Sequence, residues 1–367
     1  MSAPKPKLII LHIGDSIQYN IDTYNRLASQ FTIIQPSVEE RQRDAFTKAL
    51  KEKKWGDFDA ICRPYWNSGG EMGRWDRELV PLLPQSVKVF ASAGAGYDWA
   101  DVDVLAEHVM RLYAVHYSGE NAYISLAGIL YCNGAAASSE AVADTAIYHI
   151  LNVFRNLKWS LTAAHSGDAA QWQEAHKGTQ LTAWNPNGRP LGLIGLGNIG
   201  YTIAQKAYRA FGMKIFYHDP YRKSPEQERA IEATYCFTNE DLVAQVDCVV
   251  LAMPFGGKEI IDANLLSHFR KGSRFVNIAR GKLVDEEAVI AALESGQLHA
   301  VGLDVQYNEP HVHPKMAQMR NVALTCHTAG GAMDTVLGFE RLAMENCERV
   351  LLGQGPLTAV NKHLIRK

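Results

Sequence analysis

Residues 190–211 read PLGLIGLGNIGYTIAQKAYRAF, and they restrict the fold more than any other stretch of the chain. A short apolar run leads into glycines at 195, 197 and 200, spaced G-x-G-x-x-G, and then into apolar residues at helical intervals. Alone, such glycines mark a tight strand-to-helix turn. Placed between a strand and a helix, they let a pyrophosphate approach the backbone, while the helix start offers unpaired N–H groups and a favourable dipole. The next strand, MKIFYHD, ends at Asp219, 19 residues past Gly200. A carboxylate at that point accepts hydrogen bonds from an adenosine ribose diol and repels a 2′-phosphate. The expected cofactor is therefore NAD rather than NADP, with Arg222 close enough in sequence to soften the preference. The residues expected to hold it are Gly195, Gly197, Asn198, Ile199, Gly200 and Asp219.

The same strand-helix alternation extends to both sides. KLIILHIG, FTIIQ, DAICRPY and VKVFASAG precede it, and CVVLAMP, RFVNIAR, HAVGLDV and NVALTCH follow. The expected fold class is α/β, with parallel sheets covered by helices. A chain of 367 residues has room for two such domains. SSEAVADTAIYHILNVF (138–154) reads as a helix starting at Ser-Ser-Glu and bridging the two, and 156–188 as a polar, Trp-bearing stretch. From about 334 the chain reads as a helix that packs back on the first domain and makes it discontinuous.

Composition narrows the function classes. With 37 basic against 39 acidic residues and no block of like charge, the chain lacks the footprint of a nucleic-acid binder. No apolar run reaches the length of a membrane span, and the start, MSAPKPKLIILHIG, reads as a first strand rather than an export signal. A soluble, cytoplasmic protein is expected. The six cysteines (62, 132, 236, 248, 326, 347) form no CxxC pair, so the expectation is reduced, packed thiols, with no disulfide framework and no metal.

Position along a strand carries information, because ligands of open parallel sheets bind outside the carboxyl ends of the strands. Arg280 ends RFVNIAR, Glu309 follows HAVGLDV, and His327 ends NVALTCH. Singly, each has a plain alternative: a surface charge, a loop residue, a packed histidine. Together they form a guanidinium fork for a carboxylate, an imidazole for proton transfer, and a carboxylate that orients the imidazole and favours its protonated form. Reduction of a 2-keto acid beside a nicotinamide requires that set.

GLIGLGNIG with Asp219, VNIARG, GLDV, NEP and TCHTAGG, together with SAGAGYDWADVD and NGAAASSEAVAD upstream, resemble the successive signatures of the D-isomer-specific 2-hydroxyacid dehydrogenases. The resemblance covers nearly the whole chain, and among branches it is most similar to the fungal D-mandelate dehydrogenases, with the glyoxylate and hydroxypyruvate reductases next. It implies two Rossmann-like or flavodoxin-like parallel-sheet domains with a cleft between them. Residues 1–140 plus 335–367 would be the substrate domain and 141–334 the NAD-binding domain, which would also form a homodimer. It implies that His327 is the acid/base, that Glu309 holds and tunes it, and that Arg280 binds the substrate carboxylate and polarises the carbonyl. Backbone N–H groups of Ala95 and Gly96 would hold the other side of that carboxylate. Asp304 would contact the nicotinamide amide, and Ser139 would lie near the cofactor. Tyr65, Trp66, Tyr97 and Trp99 are placed to accept a bulky side chain, so the expected substrates are 2-keto and 2-hydroxy acids such as benzoylformate or branched analogues. Glyoxylate or hydroxypyruvate reduction is the next reading. A reading from another class is an NAD-sensing scaffold, since the C-terminal binding protein corepressors resemble this fold.

Three places depart from the family pattern. Cys326 stands where many relatives have proline, and is expected to be a small buried packing residue. The loop FGGKEIIDANLL after Pro254 is short, and no cofactor contact is assigned to it. Residues 109–127 look inserted between DVLAEH and GILYCN, either as a lid or dimer element or as a short in-frame intron kept in the reading frame.

Overall fold

The computed structural model describes residues 7–108 and 128–365. The chain divides into two compact units, Met1–Ser138 with Ala332–Lys367, and Ser139–Gly331. Among the described residues, no helix is long and apolar enough to cross a membrane. The 109–127 segment lies outside the described residues; on either side of it, Ile129 N donates to Leu105 O at 2.8 Å.

The first unit is built on β1 (Ile9–His12), β2 (Thr32–Ile34), β3 (Ala60–Arg63), β4 (Val89–Ser92) and β5 (Leu130–Cys132). All pair in parallel, in the order β2-β1-β3-β4-β5. That is the order of a flavodoxin-like doubly wound sheet. β3 and β4 are buried throughout, which is why each starts with three consecutive apolar residues rather than alternating. One face, with Leu11, Ile61, Phe90 and Tyr131, packs on Phe46 and Trp75. The other, with Ile10, Cys62 and Ala91, packs on Ala343, Met344 and Cys347 of the helix Met333–Leu351. The chain thus returns to its first unit because that helix supplies the missing apolar layer.

The same helix carries Glu340, which is fully buried. Its carboxylate accepts from Gln18 N at 2.6 Å and Asn20 N at 2.7 Å, just before the helix Ile21–Gln30, and from the Tyr65 hydroxyl. Burial pushes its pKa up, but these hydrogen bonds outweigh burial and leave it lowered.

The second unit holds β6 (Pro190–Ile194), β7 (Lys214–His218), β8 (Thr234–Tyr235), β9 (Cys248–Leu251), β10 (Ser273–Asn277), β11 (Leu298–Leu303) and β12 (Val322–Leu324). The order is β12-β11-β10-β9-β6-β7-β8, again all parallel. After β6 the chain moves outward to β7 and β8 and then restarts at β9 on the other side of β6. This reversal opens a crevice at the carboxyl ends of β6 and β9, where doubly wound sheets bind ligands. β8 has only two residues, too few for its sequence to show a strand pattern.

One reading of the helices needs correction. The bridging helix runs Ala135–Arg155, so Ser138 and Ser139 lie inside it, 3% and 7% exposed, and do not cap it. Just before it, Asn133 Oδ1 accepts from Ala135 N at 3.4 Å. The polar 156–188 stretch contains two helices, Leu157–His165 and Ala169–Thr182, the second capped by Asp168 accepting from Ala170 N and Gln171 N.

Candidate active site

The three glycines of the first motif have three different environments. Gly195 has φ +93°, and a Cβ there would come within 2.7 Å of Ala252 O at the end of β9, so a side chain would block the crevice. A Cβ on Gly200 would collide with Gly195 O, which shows how closely the helix Asn198–Phe211 is pressed on its strand. A Cβ on Gly197 would meet nothing within 4 Å. The protein itself therefore does not require glycine at 197, and the space beside it suits a close ligand. Gly197 caps the helix without a side-chain hydrogen bond, so the first-turn N–H groups of Asn198 and Ile199 face no capping side chain. These residues fit a dinucleotide pyrophosphate.

Asp219 follows β7, is 8% exposed, and is fixed by Leu196 N on Oδ2 (2.8 Å) and Tyr221 N on Oδ1 (2.9 Å). The cation beside it is Lys223, 3.6 Å from Oδ2. Arg222, which sequence proximity offered for that place, instead makes two hydrogen bonds to Glu228, at 2.8 and 3.0 Å, and lies over the Tyr235 ring. Glu228 also accepts from the Tyr217 hydroxyl at 2.6 Å, and Arg222 and Tyr217 together hold its carboxyl below the usual range.

Arg280, Glu309 and His327 follow β10, β11 and β12, three adjacent strands, at the same edge of the sheet as the glycine turn. His327 Nδ1 lies 2.9 Å from Glu309 Oε2, with both side chains partly exposed. Glu309 Oε1 accepts from Gln306 N at 3.1 Å, which fixes the carboxylate in one orientation. The Arg280 loop is tied to the same region: a Cβ on Gly281 would overlap Gln306 O, and Asn277 Nδ2 donates to Arg280 O at 2.9 Å. The Arg280 side chain donates to Ala279 O at 2.8 Å.

The backbone of His327 has φ +53°, a left-handed conformation uncommon for a residue with a side chain. Asp304 holds it there. His327 N donates to Asp304 O at 2.7 Å, and the fully buried Asp304 carboxylate accepts from Thr325 Oγ1 (2.6 Å), Thr328 N (3.0 Å) and Ala329 N (3.0 Å). In this structure Asp304 is the anchor of the histidine loop, with its carboxylate turned into that loop. Thr325 Oγ1 is also 3.0 Å from Nε2 of His149, on the helix Ala135–Arg155. A carboxylate can only accept, so the threonine proton goes to Asp304 and His149 Nε2–H donates to Thr325. His149 Nδ1 has no partner, and burial pushes this histidine down to about 4. No motif in the sequence marked His149 or Thr325; their roles depend on which side chains the fold brings to Asp304.

The remaining expected site residues lie on other elements. Ser139 is buried in the helix Ala135–Arg155. Ala95 and Gly96 lie in the turn after β4, where Asn133 Nδ2 donates to Ala95 O at 2.8 Å. Among the described residues, the N–H groups of Ala95 and Gly96 find no acceptor. The aromatic quartet separates: Tyr65 is bonded to Glu340, and Trp99 packs in the core against Phe90 and Tyr131 beneath Arg63. Trp66 is 64% exposed and Tyr97 is half-buried. Five cysteines are buried, but Cys326 is exposed, which corrects its reading as a packing residue. β12 ends at Leu324, so residue 326 is already in the loop that turns away from the sheet. Among the described residues, no group of three or more His, Cys, Asp or Glu side chains is arranged to hold a metal.

Comparison with known proteins shows the family and the fold. Residues 147–329 match the family model for the D-isomer specific 2-hydroxyacid dehydrogenase, NAD binding domain. The chain is 33% identical to 4-methyl-2-oxopentanoate reductase A of Aspergillus oryzae over 306 residues, 83% of this chain and 84% of that one. The holo form of Rhodotorula graminis D-mandelate dehydrogenase superposes with a TM-score of 0.86 at 36% identity, covering 97% of this chain and 98% of the other. A glyoxylate reductase from Paecilomyes thermophila does so with a TM-score of 0.81 at 32% identity, over 98% and 99%. Two doubly wound parallel sheets, a dinucleotide turn at the switch point and these likenesses place the chain in the D-isomer-specific 2-hydroxyacid dehydrogenase family, as an NAD-dependent oxidoreductase.

Proposed function

We propose that the protein interconverts 2-keto acids and D-2-hydroxy acids with His327 as the acid/base, and that it prefers substrates with bulky apolar side chains. The observation that carries this reading is the 2.9 Å His327–Glu309 pair at the sheet edge shared with Arg280 and the glycine turn. Bound NAD supplies hydride exchange with the substrate 2-carbon. The protein binds, orients and moves a proton. The Arg280 guanidinium pairs with the substrate carboxylate and polarises the adjacent carbonyl. His327 Nε2 gives its proton to the carbonyl oxygen in reduction and takes it back in oxidation. Glu309 accepts a hydrogen bond from Nδ1–H, which leaves Nε2 as the exchanging atom. The N–H groups of Ala95 and Gly96, without an acceptor among the described residues, are proposed donors to the same carboxylate. Asp304 keeps the histidine loop in place, with a remaining lone pair on Oδ2 for the nicotinamide amide, and Ser139 stays a proposed neighbour of the cofactor.

Substrate preference rests on the relatives named for 4-methyl-2-oxopentanoate and D-mandelate, both with bulky side chains, and on the accessible Trp66. The glyoxylate reductase likeness supports the second reading, small 2-keto acids. A panel of benzoylformate, 4-methyl-2-oxopentanoate, glyoxylate and hydroxypyruvate, each with NADH and NADPH, separates the two. Glyoxylate turnover equal to or above that of benzoylformate overturns the bulky-substrate assignment. In the same assay, His327→Ala is expected to remove turnover while NADH binding, followed by fluorescence, persists. Arg280→Lys is expected mainly to raise KM for the keto acid, because an ammonium cannot replace the fork. A wild-type protein that binds NADH but reduces none of the panel is an NAD-sensing scaffold, and the catalytic reading fails.

The assembly proposed is a homodimer formed through the second unit. Leu161, Trp172, Leu181 and Trp184 are 48%, 50%, 85% and 56% exposed on or just after its helices Leu157–His165 and Ala169–Thr182. Light scattering on the purified protein decides this, and fractionation of expressing cells decides the proposed cytoplasmic location.

A further inference from the structure

The amino ends of β6, β9, β10 and β11 form the sheet edge opposite the glycine turn, and a cavity of about 310 Å³ opens there. Arg189, Arg270, Lys271 and Arg274 line it, with Asp247 the sole carboxylate in its wall. Asp247 is already occupied: Oδ2 takes Arg189 at 3.1 Å and Oδ1 takes Arg270 at 2.8 Å. Arg274 is different. It is 5% exposed, donates Nε to Val153 O at 3.1 Å, and lies 4.4 Å over the Phe154 ring. Among the described residues it has no ion pair. Beside it Ser273, 3% exposed and also in the cavity wall, has a buried Oγ without a hydrogen-bond partner. The β10–β11 pairing slips at this point: Ser273 faces Leu298 while Arg274 faces Ala300, and the extra residue, His299, is brought to the same cavity.

A buried guanidinium that makes no ion pair among the described residues and a buried hydroxyl without a partner are both costly, and native folds keep such groups where something completes them. Desolvation lowers the pKa of Arg274 and nearby Arg189 adds to it, while Cys248 and Asp247 pull the other way. The occupant needs at least two negative charges and several acceptor oxygens in a compact group, and must accept from guanidinium and ammonium donors together. We propose that this cavity is a phosphate-binding site, separate from the dinucleotide turn, for the phosphate group of a small metabolite. Binding there ties together the starts of β6, β9, β10 and β11, the strands whose opposite ends carry the active-site loops, so occupancy stabilises the second unit.

The test uses the full chain with saturating NADH, so that phosphate cannot act at the pyrophosphate turn. Inorganic phosphate is titrated against sodium chloride at matched ionic strength, with thermal unfolding and calorimetry as readouts. The wild type is expected to show a saturable rise in Tm of about 2 °C or more and a calorimetric isotherm. Arg270→Gln/Lys271→Gln, which changes two exposed residues and leaves the buried Arg274 in place, is expected to lose most of that rise while binding NADH as before. Phosphate indistinguishable from chloride overturns the proposal, as does a double variant that responds like the wild type. If an acidic side chain of a second copy closes the cavity, phosphate has no effect and the proposal likewise fails. Loss of turnover with NADH still bound would bear on the dehydrogenase chemistry alone, because phosphate binding is read separately.

Discussion

His327 Nδ1 is hydrogen-bonded to Glu309 Oε2 at 2.9 Å, and the histidine that makes this bond has a left-handed backbone, φ +53°. Glu309 can only accept, so Nδ1 carries a proton and Nε2 is left to exchange one. Glu309→Gln reverses this polarity. The amide N–H₂ donates to Nδ1, the neutral ring then carries its proton on Nε2, and the imidazolium loses its counter-charge. The variant is expected to keep NADH affinity and keto-acid KM within a few-fold, and to lose about a hundredfold in kcat in both directions. A loss confined to KM would show that Glu309 only shapes the pocket.

His149 makes the protein sensitive to acid. It is fully buried and neutral, with a pKa pushed from 6.5 to about 4 by burial, against a smaller upward pull from Asp304. The folded pKa lies below the unfolded value, so the unfolded chain binds the extra proton between these limits. Stability therefore falls as pH drops from 6.5 toward 4, by roughly 3 kcal/mol from this residue. Urea midpoints measured across pH 4 to 7 are expected to show that slope, and His149→Gln, which can still donate to Thr325, to flatten it. An unchanged slope in the variant would mean that other buried groups dominate.

Cofactor choice is expected to depend on Glu228 as well as on Asp219. Arg222 is held by two charge-assisted hydrogen bonds to Glu228, and Lys223 stands 3.6 Å from Asp219, so both cations of the loop after β7 are occupied by acids. Glu228→Ala releases Arg222 toward the ribose end of the cofactor. Fluorescence titration is expected to show NADPH binding tightened about tenfold with NADH nearly unchanged, the size of one charge-assisted contact. Adding Arg222→Ala to that variant should cancel the gain; if it does not, Arg222 is not the group that binds the 2′-phosphate.

Leu105 and Ile129 are hydrogen-bonded across the 109–127 segment. Deleting those residues to join His108 to Gly128 is expected to leave the first unit folded, with Tm changed by no more than a few degrees, since long insertions add little to or remove little from stability. NADH binding should be unaffected. A protein that unfolds or becomes insoluble on deletion would show the segment to be integral to the fold, and sequencing the transcript against genomic DNA decides whether it is an intron.

The sequence by itself determined what depends on local pattern. Apolar runs followed by helical spacing specified parallel strands, three glycines specified the turn after β6, and strand-end positions marked Arg280, Glu309 and His327, because each of these signals is complete within a few residues. Only the tertiary structure decided the outcomes that depend on partners distant in the chain. Arg222 turned to Glu228 while Lys223 took its place, Tyr65 was drawn to the buried Glu340, and Cys326 was left exposed. Most consequentially, Asp304, Thr325 and His149 came together to hold the histidine loop in its strained conformation. A hydrogen bond between residues far apart in the chain is settled by which groups are desolvated together, and that is known only once the sheets have packed.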